Sequence, residues 1–327
     1  MCAALSVWYP GLARDPGIYA VSIQSAVPDV FSVGGDVREV LEAADRDIGC
    51  ARAGLAAELQ LCWLHECFSK PTVSFIDGLV MGTGVGLSLF GTHRVAGEGY
   101  RFRMPETAIG YFPDCGVSHA FARMPHGIGY YLGLTGAVAG PADALALGLA
   151  THTIGRGEHR AIIAHLADAD PVDPVLDSRQ RDPGPGPLLT DAPRIARYFD
   201  APAITTIIER LASPASGDET WAGETLAALS RCSPLALCVT YEAIRRAGAL
   251  DIRGALLQDY RIAHRLIVHP DFRAGVRAAL IDKHHEPRWQ HEHVRDVEPD
   301  VVERYLSSLG EDELVLPSRD EMQSARV

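Results

Sequence analysis

Up to a Pro/Gly-rich stretch at 182–193, DPGPGPLLTDAP, short strand-like apolar runs alternate with helical patterns. Residues 17–25, GIYAVSIQS, read as a strand, and DVREVLEAADRD reads as a helix that opens on Asp36 as N-cap. Residues 51–69 carry an amphipathic helical pattern. KPTVSFIDGLVMG reads as a strand running into a glycine-rich turn, and GVGLSLFGT as a short apolar helix. HRVAGEGYRFRM predicts two short strands around a Gly-Glu-Gly turn, and GIGYYLGLTG and GPADALALGLA are helical again. This alternation predicts mostly parallel strands with helices outside them. After 193 the strand signals stop, and APAITTIIERLA, SPLALCVTYEAIRRAGA and DIRGALLQDYRIAHRLIVH are all helical patterns. The expected fold class is therefore α/β with a mainly helical C-terminal region, divided as a core over 1–195 and helices over 196–327, with no internal repeat.

Composition narrows the class. The chain has 327 residues, 47% hydrophobic and 22% charged, which is globular rather than disordered. The longest apolar candidate for a membrane span, 71–91, is broken by Asp77 and several glycines. MCAALSVWYPGLARD has no basic leader region, so the expected location is cytoplasmic. A net charge of −12 argues against nucleic acid as a partner and means that any anionic ligand must be held by local donors. The seven cysteines, Cys2, Cys50, Cys62, Cys67, Cys115, Cys232 and Cys238, form no CxxC pair and fit reduced thiols.

Three stretches could carry chemistry. In FSVGGDVRE (31–39) a strand end meets Gly34 and Gly35, which let a ligand approach the backbone closely before Asp36 caps the next helix. In MGTGVGLSLF (81–90), Gly82, Gly84 and Gly86 match a dinucleotide fingerprint only in part, and no acid follows at the ribose distance, which argues against a Rossmann site. Both segments aim backbone N–H groups from a strand end at one spot, as an oxyanion hole requires. In MPETAIGYFPD (104–114), Glu106 and Asp114 sit among Pro105, Gly110 and Pro113, a spacing of breakers that predicts a turn-rich loop. Alone, the two acids read equally well as solvated loop charges. Beside two N–H turns, a carboxylate describes acyl or enolate chemistry. The histidine-rich DKHHEPRWQHEH (282–293) fits no standard zinc spacing and reads as a polar surface loop; no metal is expected. Ser88 and Ser118 lack a nucleophile-elbow context, and Cys115 reads as a packed thiol.

Taken together, FSVGGD, KPTVSFIDGLVMGTGVGLSL and MPETAIGYFPDCG resemble the crotonase, or enoyl-CoA hydratase/isomerase, superfamily. LTG, GLATH and DFRAGVRAALIDKHHEPRW are further similar to its 3-hydroxyisobutyryl-CoA hydrolase branch. The resemblance implies a crotonase-like spiral of ββα units and hydrolysis of a short 3-hydroxyacyl-CoA thioester, as in valine breakdown. It implies an oxyanion hole from the N–H groups of Gly35 and Thr83. Glu106 matches the family's catalytic glutamate, Asp114 an acid of the hydrolase branch, and Glu58 a substrate-contacting glutamate. Ser32, Val33, Gly34 and Gly82 fall on the substrate-binding turns. The position of the second catalytic glutamate of hydratases is Gly86 here, which favours hydrolysis over hydration. Coenzyme A is part of the substrate, so no cofactor is expected. The acyl-CoA is the expected partner, and a homo-oligomer is allowed by the superfamily's habit of forming trimers and hexamers. Arg38 and Lys283 are weak candidates for the CoA phosphates, since such a residue is more often a solvated charge.

The chain also departs from the pattern. The family opens with a β-hairpin and an N-A-L segment, whereas this chain begins near the following helix, so missing first strands and an exposed sheet edge are expected. The middle residue of the second glycine turn is Thr83, and Val117-Ser118 replaces Gly-Gly after Asp114. Two other readings stay open: a hydratase or isomerase working with Glu106 alone, and a degenerate acyl-CoA-binding protein.

Overall fold

In the computed structural model, which describes residues 1–283 and 286–327, the chain winds as a spiral that places successive strands alternately in two sheets. Helix α1 (Cys2–Arg14) leads into β1 (Val21–Gln24), β2 (Val30–Val33), α2 (Val37–Arg46) and α3 (Ile48–Glu66). The second turn is β3 (Thr72–Ile76), β4 (Leu79–Met81) and α4 (Thr83–Leu89). The third is β5 (His93–Ala96), β6 (Arg101–Phe102), a 3-10 turn (Glu106–Ile109) and α5 (Val117–Phe121), and β7 (His152–Thr153) opens a fourth. Odd strands stack in the order β1-β3-β5-β7 and even strands as β2-β4-β6, all parallel. Each turn of the spiral thus lays one strand on each sheet, the ββα repeat expected from the resemblance.

Local chemistry explains the breaks. Asp36 caps α2 by accepting the N–H groups of Arg38 and Glu39. Asp47 does the same for α3 through Gly49 and Cys50, which starts that helix three residues before the expected position 51. KPTVSFIDGLVMG is two strands rather than one. Asp77-Gly78 turns the chain between the sheets, with Gly78 at φ +119 and a Cβ there only 2.2 Å from the Asp29 carbonyl carbon. β3 is buried at every residue, which is why its sequence runs apolar without alternating. β1 is an outer strand with Ser22 and Gln24 exposed.

Beyond β7 the described residues form helices and turns, including the long, well-buried helices Pro234–Ala247 and Ile252–Leu266. One hydrophobic core extends from Tyr9 to Val327 and draws on both the spiral and the C-terminal helices. A second, smaller one lies between the first sheet and helices His159–Ala167 and Val172–Asp177, through Val73, Phe75, Val95, Ile162 and Leu176. No described helix is long and apolar enough to cross a membrane. His284 and His285 of the histidine-rich stretch lie outside the described residues, and among the described ones no group of three His, Cys, Asp or Glu is arranged to hold a metal.

Candidate active site

The two glycine turns meet at the ends of neighbouring strands β2 and β4. Gly34 has φ +88 and Gly82 has φ +56, a region that side-chain-bearing residues rarely adopt. The backbones are also pressed together: a Cβ on Gly82 would stand 2.6 Å from Gly34 Cα. Gly35 and Thr83, the residues that follow these two glycines, line one cavity, and among the described residues neither N–H donates to a protein acceptor. Two free, fixed N–H groups are what a developing oxyanion needs.

The third stretch supplies the carboxylates. It is not a plain loop, because Glu106 opens the 3-10 turn and its carbonyl accepts the Tyr111 N–H at 3.0 Å. Glu106 Oε2 is shut away from solvent and has no hydrogen-bond partner among the described residues. Asp114 Oδ2 accepts from the Tyr111 hydroxyl at 3.1 Å. Glu58 arrives from α3, where its Oε1 accepts from the Cys115 thiol at 3.3 Å. Glu58, Glu106 and Asp114 share one cavity of about 670 Å3 with Val33, Gly34, Gly35, Gly82 and Thr83. Apolar side chains complete the wall, among them Val37, Val40, Leu55, Ile109, Ile267 and Phe272, and the cations Arg38 and Lys283 also line it. Ser32 is the exception among the residues expected there. It lies behind the first turn, where its Oγ accepts the Gly34 N–H at 3.1 Å and its Cβ fills the space beside Gly84.

The electrostatics of the cavity follow from its burial. Burial pushes the Glu106 carboxyl well above the usual range, and the negative charge of Asp114 adds to it, while the Glu106 backbone N–H and Arg103 pull it back only in part. Asp114 is raised to about 7, first by burial and then by the charge of Glu58, against hydrogen bonds from Cys115 and Tyr111. The Cys115 thiol is pushed up by its bond with Cys62, then by burial and by Asp114 and Glu58, so it is a proton-bearing packing group rather than a nucleophile. Behind them, the fully buried Asp259 accepts the Gly116 N–H at 2.6 Å, and burial raises its carboxyl well above the ordinary range.

Position 86 is filled from outside. A Cβ on Gly86 would lie 2.4 Å from Cys62 Sγ and 3.0 Å from Cys115 Cβ. There is no room for any side chain, let alone a glutamate, unless the thiols move. Sequence reasoning missed this Cys62–Cys115 wedge. It also missed Asp259, which comes 143 residues after the Gly116 it holds and carries no local signal. Tyr111 was within reach, inside the stretch that carries both acids, but nothing in its spacing marked its hydroxyl.

The family model described as enoyl-CoA hydratase/isomerase matches residues 1–306, and the chain belongs to that family. Among curated relatives it is 34% identical to the mitochondrial 3-hydroxyisobutyryl-CoA hydrolase of Xenopus tropicalis over 321 residues, covering 94% of this chain and 83% of that protein. It is 32% identical to 3-hydroxyisobutyryl-CoA hydrolase 1 of Arabidopsis thaliana over 342 residues, covering 98% and 88%. Among solved structures it is similar to an enoyl-CoA hydratase from Rhodobacter sphaeroides 2.4.1, with TM-score 0.88, 35% identity and coverage of 96% and 92%. A carnitinyl-CoA dehydratase from Mycobacterium thermoresistibile matches with TM-score 0.89, 30% identity and coverage of 96% and 90%.

Proposed function

We propose that the protein hydrolyses the thioester of a short 3-hydroxyacyl-CoA of the 3-hydroxyisobutyryl type. The observation that carries this reading is the asymmetry of the cavity. Glu106 lines the same cavity as Gly35 and Thr83, while position 86, where a hydratase keeps its second glutamate, has no space for a side chain. Adding water across a double bond calls for an acid and a base around the Cα–Cβ bond. Hydrolysis needs one carboxylate and an oxyanion hole. Glu106 either adds to the thioester carbonyl, expelling CoA thiolate and leaving an anhydride that water cleaves, or takes the proton of a water that adds directly. In both routes the carbonyl oxygen becomes negative within reach of the Gly35 and Thr83 N–H groups, each worth about 3 kcal/mol of barrier. Asp114, held by Tyr111, is the group for the substrate 3-hydroxyl. The names of the curated relatives support the same reaction.

A hydratase reading draws its support from the names of the two solved structures. A three-substrate assay separates the two. Release of free thiol from 3-hydroxyisobutyryl-CoA, slower release from isobutyryl-CoA, and no loss of the enoyl absorbance of crotonyl-CoA is the expected result. Loss of the enoyl absorbance without thiol release would replace the hydrolase reading with hydration.

A further inference from the structure

We propose that the side-chain hydroxyl of Thr83 is a third donor of the oxyanion hole, so that this chain stabilises the tetrahedral oxyanion through one side chain as well as two backbone N–H groups. The inference rests on the hydrolase reading of the same cavity. Thr83 stands where the resemblance leads one to expect a glycine, and a Cβ at that position narrows the approach to its own N–H. The geometry offers something in return. Thr83 Oγ1 lies 3.5 Å from the point where a Cβ on Gly35 would stand, so the hydroxyl sits directly over the first turn. Thr83 is only 6% exposed, and what remains accessible of it lines the cavity. Ser88, further along α4, shows the contrast: its hydroxyl donates back to the Gly84 carbonyl at 2.8 Å, as helical serines and threonines usually do. The Thr83 hydroxyl thus lies against the first turn, in a cavity that Gly35, Thr83 and Glu106 all line. The thioester oxygen is an acceptor only. It takes a hydrogen bond from the hydroxyl as it becomes negative, the threonine keeps its proton throughout, and that bond strengthens in the transition state more than in the bound substrate.

The test uses Thr83→Val, which keeps the shape and removes the hydroxyl, with Thr83→Ser and Thr83→Gly beside it. Thr83→Val lowers kcat by roughly tenfold to a hundredfold with little change in KM. Thr83→Ser restores most of the loss. Thr83→Gly stays low although it opens the turn. Wild-type kcat in Thr83→Val, or a kcat above wild type in Thr83→Gly, overturns the proposal and makes the side chain an obstruction only. A second readout does not depend on turnover. In a Glu106→Gln background, the infrared carbonyl stretch of bound 3-hydroxyisobutyryl-CoA is read with and without Thr83→Val. A shift toward the free-thioester frequency on removing the hydroxyl supports the third donor, and an unchanged frequency overturns it. Absence of any bound carbonyl signal, with no thiol release by the unmutated protein, overturns the hydrolase reading and the proposal together. A signal that responds to Thr83→Val in a protein without hydrolysis would sink the hydrolase reading alone.

Discussion

Burial and the charge of Asp114 both raise the Glu106 carboxyl, and each proposed route needs that group ionised. A base with a raised pKa is inactive while it holds its proton, so kcat/KM climbs as pH rises through that pKa. The acidic limb of the profile should therefore lie well above the ordinary glutamate range. The charge of Asp114 opposes ionisation of Glu106, while Asp114 is itself raised by burial and by the charge of Glu58. Asp114→Asn removes the like charge and keeps an acceptor for the Tyr111 hydroxyl. The expected outcome is a lower rate on the 3-hydroxylated substrate and an acidic limb shifted to lower pH. A pH–rate profile of the two proteins checks this, and an unmoved limb would remove Asp114 as a cause of the Glu106 shift.

At the scale of elements, the site depends on a strained turn and on what holds it. Cys115 and Gly116 are consecutive residues in the left-handed region, at φ +59 and +77, between Asp114 and the first residue of α5. For a cysteine that conformation costs about 1–3 kcal/mol. Asp259, from helix Ile252–Leu266, holds the turn by accepting the Gly116 N–H. Asp259→Ala leaves that buried N–H bare, and about 1–3 kcal/mol of stability should be lost. Asp259→Asn, which still offers an oxygen, should lose less. Urea unfolding of the three proteins measures it; an alanine variant as stable as the parent would mean that the turn needs no clamp. The first glycine turn has its own clamp in Ser32, whose Oγ accepts the Gly34 N–H, and Gly34 and Gly82 also press closely on one another.

For the whole molecule, the site is a meeting of distant segments tied from behind. The Trp63 indole N–H donates to the Pro317 carbonyl at 2.9 Å, Arg253 to the Leu316 carbonyl at 2.6 Å, and Arg319 pairs with Glu66 at 2.6 Å. These bonds brace α3, which carries Glu58, and the helix that carries Asp259 with the same C-terminal strap. The parts legible in the sequence were those written locally. The Asp36 cap, the two strand-end glycine turns and the acids of MPETAIGYFPD all depend on residues a few positions apart. The β/α alternation announced parallel strands. That β3 and β4 enter different sheets was hidden, because a single Asp-Gly turn divides an otherwise continuous apolar run. Asp259, the Cys62–Cys115 wedge at Gly86 and the retreat of Ser32 behind its turn were equally hidden. Each is decided by which helix or turn happens to press against another, and no spacing along the chain encodes that.

The role proposed for Glu106 is to drive thioester hydrolysis in this cavity as its one acting carboxylate. It is tested most directly by following free thiol from 3-hydroxyisobutyryl-CoA with the parent protein and with Glu106→Gln, at equal folded concentration. The expected result is steady thiol release by the parent and a loss of at least about a hundredfold in the variant, the scale on which a positioned acid–base group acts. Thiol release by Glu106→Gln at the parent's rate would contradict it.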